Sequence, residues 1–264
     1  MASKQRIPIV GVIGGDDQSG CARLVGRELA KNGCVVLTGG CAVDSRTETK
    51  YAAIMGTLDA ERYGEGVSRY IGILPNTSKT SFVFECLSPR QLVIHSGLSS
   101  MDRDPLNGIT PDVLVCFAGG PGTICELVFG IASGREAIFH GDCAKLLLDK
   151  CTTGRQRAEI KRGMLRVLAN WQPYLSFLAG DGNTIIDILI EYLRKAVSRK
   201  LLVFAPEIVQ AALQALPNKL SDVPAFPGLP CARRRQQVDE FTLWWKSLSQ
   251  DSTHEEIQKS SATR

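Results

Sequence analysis

The stretch VLVCFAGGPGTICE spans residues 113–126 and reads as a short apolar run, a glycine-rich turn and the start of a helix. Continuous apolar runs of this length are typical of strands buried on both faces of a parallel sheet. The glycines allow close backbone approach, and the helix that follows presents unpaired N–H groups and the positive end of its dipole. This order predicts an anion site, with phosphate as the natural ligand. A tight turn without a ligand is the alternative.

The same pattern recurs on both sides of this stretch. Further strand-like apolar runs lie at residues 7–13, 34–37, 69–74, 91–94 and 137–139. The first two end at glycine pairs, Gly14-Gly15 and Gly39-Gly40, and helix-like segments separate most of the runs. Alternating strands and helices predict an α/β fold with a doubly wound, mostly parallel, Rossmann-like sheet. Because parallel strands end at one edge, we expect the glycine turns to meet there and form a nucleotide-binding crevice.

The chain divides into three segments by composition. Residues 1–141 carry the alternating pattern and are expected to form the nucleotide-binding domain. Residues 142–216 are mainly helix-like and predict a helical C-terminal extension packed on that domain. Residues 217–264 contain a proline-rich linker, one amphipathic helix at about 235–249 and a polar tail.

Composition excludes several classes of function. With 44% hydrophobic and 22% charged residues among 264, the chain has the profile of a globular protein, and its net charge of +4 is too small to indicate nucleic-acid binding. No apolar run is long enough to cross a membrane. Nine cysteines without a CxxC pair fit a reducing, cytoplasmic location. The three scattered histidines give no ligand cluster, so we expect no metal and no resident cofactor.

Two residues of the turn and its helix are candidates for ligand chemistry. Thr123 can cap the helix and offer its hydroxyl to the bound anion. Glu126 follows three residues later, so it faces the same crevice, where a carboxylate suits proton transfer, a sugar hydroxyl or a developing cation. The alternative is a capping box, in which Glu126 bonds back to the backbone of Thr123.

Basic residues near the same edge are candidates for contacts with the ligand. Arg103 lies between the fourth and fifth strands, and its planar guanidinium could hold a phosphate or a base. The alternative is that Arg103 pairs with Asp102 or Asp104 on the surface. Arg46 and Lys50, in the long segment after the second strand, could reach phosphate oxygens or lie in a solvated loop.

Several of these segments resemble one protein family. AGGPGTICE at 118–126 is similar to the P-G-G-x-G-T-x-x-E motif of the Lonely Guy (LOG) family and its wider, lysine decarboxylase-like nucleotide-binding superfamily, with Ala118 in place of the first proline. Arg103, two residues after Met101, stands where that family has an upstream arginine. LTGG at 37–40 and IGILP at 71–75 are similar to the bacterial branch that includes molybdenum-cofactor carrier proteins. The resemblance covers roughly residues 7–141.

The resemblance implies a site and an activity. It implies that the phosphate of a nucleotide binds to four residues of the turn, Gly119, Gly120, Gly122 and Thr123. It also implies that Arg103 and Glu126 are catalytic, cleaving the N-glycosidic bond of a nucleoside 5′-monophosphate to release base and ribose 5-phosphate, in a homodimer. This phosphoribohydrolase is the main prediction. The alternative is a non-catalytic carrier or sensor that binds a nucleotide or molybdenum cofactor at the same phosphate site.

Overall fold

The computed structural model describes residues 6–15, 19–40, 48–75, 90–171 and 182–217, and these ranges form one α/β unit. Its six strands are β1 (Ile9–Ile13), β2 (Val35–Thr38), β3 (Tyr70–Leu74), β4 (Gln91–His95), β5 (Val113–Cys116) and β6 (Glu136–Phe139). The helices in these ranges are α1 (Ser19–Lys31), α2 (Thr49–Arg62), α3 (Asp104–Ile109), α4 (Pro121–Ala132), α5 (Cys143–Thr152), α6 (Gly154–Trp171), α7 (Gly182–Val197) and α8 (Ala205–Gln214). The predicted linker, helix and tail of the C-terminal segment fall outside the described residues.

The six strands form one parallel sheet in the order β4-β3-β2-β1-β5-β6. The chain moves outward from β1 to β4 and then crosses back to place β5 on the other side of β1. The predicted doubly wound α/β fold is therefore confirmed, with its switch point between β1 and β5. Every residue of β1, β2, β3 and β5 is buried, which explains why these strands are continuous apolar runs.

Each face of the sheet carries its own hydrophobic core. One core lies under α1, α2 and α8, and the other lies under α3, α4, α5, α6 and α7. The four helices that follow residue 142 therefore bury their apolar faces against the sheet and its helices. In the described residues, no helix combines the length and the apolar character needed to cross a membrane.

Helix α6 also holds the chain just before α3. The indole Nε1 of Trp171, at the end of α6, donates to the carbonyl oxygen of Asp102 over 2.8 Å. The neighbouring Asn170 Nδ2 donates to the Asp102 carboxylate over 2.9 Å. Trp171 is buried, so this contact fixes the segment that leads into Arg103.

A buried ion pair fixes the start of the sheet. The guanidinium of Arg6 binds both oxygens of the Asp112 carboxylate, and Asp112 Oδ2 also accepts the N–H of Ile9 at 2.8 Å. Arg6 and Asp112 are both buried. The pair therefore aligns the beginning of β1 with the beginning of β5, the two strands that flank the switch point.

Helices α1 and α2 contact each other through glycines. A Cβ added to Gly26 would overlap the carbonyl oxygen of Ala53, and one added to Gly56 would overlap that of Arg23. The two helix backbones therefore touch, and any side chain at either glycine would push them apart.

We expect Gly26→Ala to lower the free energy of unfolding by about 1–3 kcal/mol, because the added methyl overpacks the contact between α1 and α2. Urea unfolding followed by circular dichroism measures the change. Gly20→Ala is the matched control in the same helix: its Cβ meets nothing within 4 Å, so it should leave stability unchanged or raise it by up to about 1 kcal/mol. Equal effects of the two substitutions would contradict the packing argument.

Candidate functional site

The turns that follow β1 and β5 are joined backbone to backbone at the switch point. The N–H of Gly15 donates to the carbonyl oxygen of Ala118 over 2.9 Å. A Cβ on Gly119 would lie 3.0 Å from the Gly15 nitrogen, and Gly14 has φ +157°, a conformation that favours glycine. Thr49 holds the first turn from the side, because its N–H and its hydroxyl both donate to Gly15 O. The predicted meeting of these two turns is therefore present.

Helix α4 begins at Pro121, and Gly120 precedes it in an extended conformation. The prediction that Thr123 caps this helix is wrong. Pro121 has its φ preset and lacks an N–H, so it starts the helix two residues before Thr123. Thr123 is buried in the first turn, and its hydroxyl fills the space where a Cβ of Gly119 would be. The first-turn N–H groups of Gly122 and Thr123 have no acceptor within the helix, so they can bind an anion.

The glycine turn after β5 is open rather than filled by side chains. Gly119, Gly120 and Gly122 are partly exposed, and Pro121 is exposed. A cavity of about 170 Å³ lies beside the turn and is lined by Gly120, Pro121, Ile124, Lys150, Glu159 and Ile160. Its lining combines the start of α4 with side chains of α5 and α6.

Lys150 is a cation at this turn that sequence reasoning missed. It lies near the end of α5, and its Nζ donates to the carbonyl oxygen of Gly119 over 2.6 Å. No motif marks it, because its position depends on how α5 packs against α6 and α7. The amino group adds positive charge next to the free N–H groups of the turn.

The glycine pair after β2 packs against Arg103 and does not line an open crevice. Arg103 is buried, and its Nη1 donates to the carbonyl oxygens of Gly39 and Ile73, the latter over 2.7 Å. A Cβ on Gly39 would overlap this guanidinium, and Gly40 turns the chain at φ +69°. In this structure Arg103 therefore joins the ends of β2 and β3, and a contact of Gly39 or Gly40 with a ligand stays a prediction.

Glu126 is completely buried and bonds toward α3. Its Oε1 accepts a hydrogen bond from Asn107 Nδ2 at 2.7 Å and lies 3.8 Å from Lys50 Nζ. Among the described residues, its Oε2 has no hydrogen-bond partner. The capping-box alternative is therefore wrong, since the carboxylate points away from the Thr123 backbone. Lys50 belongs to the first turn of α2 and not to a solvated loop.

Asp104 is a second buried carboxyl at the site. It is the first residue of α3, its Oδ1 lies 3.6 Å from Arg103 Nε, and its Oδ2 would lie 3.3 Å from a Cβ on Gly122. Burial, and then the nearby Glu126 carboxylate, raises the pKa of Asp104 to about 8, although Arg103 and Lys50 act in the opposite direction. Near neutral pH this carboxyl is mostly protonated, so it can donate a hydrogen bond beside the start of α4.

The two predicted catalytic residues have different partners. Arg103 binds backbone carbonyls at the ends of β2 and β3, whereas Glu126 binds Asn107 under α4. Asp104 lies near both of them. Within the part of the chain that the structure describes, no group of three or more His, Cys, Asp or Glu side chains is arranged to hold a metal ion.

Residues 7–164 match the family model of the SLOG cluster4 family. The chain belongs to that family. The predicted membership of the Lonely Guy-like superfamily is thereby confirmed. The family match extends beyond residue 141 into α6, so it includes Lys150.

Solved structures similar to this SLOG chain include two molybdenum-cofactor proteins. The molybdenum cofactor binding protein from the phototrophic bacterium Rippkaea orientalis is 28% identical, with a TM-score of 0.40 and coverage of 51% of this chain and 76% of that one. The molybdenum cofactor carrier protein from Chlamydomonas reinhardtii is 24% identical, with a TM-score of 0.43 and coverage of 62% and 99%. TM-scores this low do not assign a ligand to this chain. No curated protein shows significant similarity to it.

The Asp104 carboxyl should make stability depend on pH. Its pKa is 3.8 in the unfolded chain and about 8 in the folded protein. Between pH 3.8 and about pH 8 the unfolded chain releases a proton that the folded protein keeps, so stability falls as pH rises. The unfolding equilibrium constant then increases by up to about tenfold for each pH unit. We expect Asp104→Asn to flatten this dependence in urea unfolding measured from pH 5 to pH 8.

Asp187→Asn, on an exposed position of α7, is the control for this measurement and should keep the slope of the parent protein. If Asp104→Asn also keeps that slope, the carboxyl is ionised in the folded protein and cannot act as a hydrogen-bond donor at neutral pH.

Proposed function

We propose that this SLOG protein binds a phosphorylated small molecule, a nucleotide or a molybdenum-cofactor-like compound, and does not cleave it. The observation that carries this proposal is a contrast within the site. The turn at Gly119–Thr123 is open, with unpaired N–H groups, whereas Arg103 and Glu126 are buried and engaged with protein partners. Recognition of a phosphate is therefore available without the exposed groups that cleavage requires.

Three features of the turn favour a phosphate. The N–H groups of Gly122 and Thr123 point out of the start of α4, and the helix dipole adds positive potential there. The amino group of Lys150 lies at Gly119. Asp104, carrying its proton near neutral pH, adds a donor and not a negative charge. The rest of the ligand would lie along the Gly14-Gly15 turn, because ligands of doubly wound sheets bind where the strand order reverses.

Cleavage of an N-glycosidic bond makes different demands. It needs a carboxylate, a water molecule and the sugar in contact, with charge developing on the sugar ring. Glu126 is 0% exposed and lies among Asn107, Lys50 and Asp104. Arg103 is fixed to the ends of β2 and β3, and so it is not available to orient a departing base.

The phosphoribohydrolase remains a second candidate because of one observation. Glu126 Oε2 is buried without a hydrogen-bond partner among the described residues. An unpaired buried acceptor is costly, and a ribose hydroxyl or a water molecule in a ligand complex would satisfy it. That arrangement would place the carboxylate beside a sugar.

We also propose that the protein works in the cytoplasm as a homodimer. The six cysteines within the described residues are all free, which supports a reducing compartment. The dimer rests on the resemblance to the Lonely Guy family, and light scattering of the purified protein tests it.

The phosphate turn can be tested at Gly120. A Cβ added there meets no described atom within 4 Å, and aspartate is favoured before a helix, so Gly120→Asp should fold normally. Its carboxylate would occupy the N–H groups and repel a phosphate. We expect Gly120→Asp to raise the Kd for the tightest of AMP, GMP, CMP and pyrophosphate about tenfold or more in titration calorimetry.

Gly120→Ala is the matched control, because its methyl group also fits but can neither accept from the first-turn N–H groups nor repel a phosphate, and it should keep the Kd within about threefold. Equal affinities of the two variants, or no binding of any of the four probes to the parent protein, would show that the turn is not a phosphate site.

Incubation with AMP, GMP and CMP separates the two candidates. A binding protein leaves these nucleotides intact, so we expect no free base by liquid chromatography. Release of base that is lost in both Glu126→Ala and Glu126→Gln would instead establish the hydrolase. The glutamine variant keeps the shape of the side chain and a carbonyl acceptor for Asn107, which separates loss of chemistry from loss of folding.

A further inference from the structure

A second and larger cavity lies at the outer edge of the sheet. Its volume is about 560 Å³, and it is bounded by β6, the N-terminal half of α5, the C-terminal end of α7 and α8. It shares no lining residue with the cavity beside the phosphate turn. Its size falls within the range of small-molecule sites, roughly 300–1,000 Å³.

The walls of this cavity are apolar and are built largely from small side chains. Phe139 and Leu202 supply the larger apolar surface. Alanines from β6, α5, α7 and α8 leave the space open: Ala137, Ala144, Ala196 and Ala211. Leu201 is 59% exposed and Val197 is 40% exposed, and both line the cavity. The apolar surface therefore continues from the inside of the cavity to its mouth.

A backbone donor of β6 lies at this cavity. The N–H groups of alternate residues of β6 and of the segment that follows it point to the outer edge of the sheet, away from β5. Two of them have partners, since Ala137 N–H donates to Tyr192 Oη at 2.9 Å and Gly141 N–H donates to Leu202 O at 2.7 Å. The N–H of Phe139 lies between them on the same edge, and within the described ranges no acceptor receives it. An acceptor atom of a ligand would pair with it.

The charges around the cavity are mostly positive. Lys145, Arg199 and Lys200 line it, against the single carboxylate of Asp142. Within the described ranges, Arg199 and Lys200 form exposed ion pairs, at 4.0 Å to Glu136 and 3.3 Å to Glu207, and such pairs contribute little. Arg199 also lies over the ring of Tyr192. The cations therefore remain available to an anionic group.

We propose that this cavity binds an amphipathic organic anion. The apolar body of the ligand would fill the alanine-walled space, and its anionic end would lie at Lys145, Arg199 and Lys200. The site is separate from the phosphate turn, and it requires neither a nucleotide nor the proposed function.

The test uses the full chain and the fluorescent probe 8-anilinonaphthalene-1-sulfonate, which has an apolar aromatic body and a sulfonate. We expect saturable fluorescence that dodecanoate displaces about tenfold more effectively than dodecyltrimethylammonium, which has the same chain length and the opposite charge. AMP should displace neither the probe nor dodecanoate, because the cavity is separate from the phosphate turn. Equal displacement by the two alkyl compounds would overturn the proposal.

Two variants locate the site. Ala211→Phe should weaken probe binding about tenfold or more because its ring fills the cavity. Lys145→Glu changes an exposed side chain, so this variant should fold normally. It should weaken the binding of both anions about tenfold and leave the binding of dodecyltrimethylammonium unchanged or tighter. Arg166→Glu, an exposed charge reversal on α6 away from the cavity, is the control and should change nothing. Unchanged anion binding in Lys145→Glu would falsify the proposed site.

Discussion

The contact between the turns after β1 and β5 is the constraint on which the site depends. At the switch point these two turns approach so closely that the Gly15 N–H bonds to Ala118 O, and Gly119 has no room for a side chain. Thr123 packs into the space that Gly119 leaves, which sets the direction of α4. The open N–H groups of α4 are therefore held in place by backbone contacts. This arrangement leaves Gly119, Gly120 and Gly122 partly exposed, with the Lys150 amino group beside them.

Helix α3 determines what the charged residues near this turn do. Only six residues long, it carries Asp104 and Asn107, follows Arg103, and packs against α4, so all three polar groups are buried together with Glu126. Burial makes ionisation of Asp104 unfavourable, and Asn107 takes one oxygen of Glu126. Arg103 donates hydrogen bonds to carbonyl groups at the ends of β2 and β3 that would otherwise be unsatisfied. The polar side chains below the turn are therefore engaged with protein groups, and the proposed phosphate site lies above them at the surface.

Much of the fold could be predicted from the sequence, because strands buried on both faces read as unbroken apolar runs and each ends at glycine or proline. Parallel pairing then placed the three glycine turns at one edge. The site was less predictable. The spacing predicts that Glu126 lies on the same face of α4 as Thr123. It does not predict which element covers that face. Lys150 and Asn107 carry no motif, since their roles arise only when α5 packs against α6 and α7 and α3 packs against α4. Pro121, which was visible in the sequence, should have ruled out Thr123 as the cap.

The hydrogen bonds from the end of α6 to Asp102 bear on where this protein can be divided. The apparent border at residue 141 separates the alternating strands and helices from the helical part, yet Trp171 and Asn170 hold the segment that immediately precedes Arg103. A fragment that stops at this border would lose the contacts that hold the segment before Arg103, whose guanidinium links carbonyl groups at the ends of β2 and β3. We therefore expect that a fragment must extend at least through α6 to keep Arg103 in place, and that the sheet alone, moved into another protein, would lack this support.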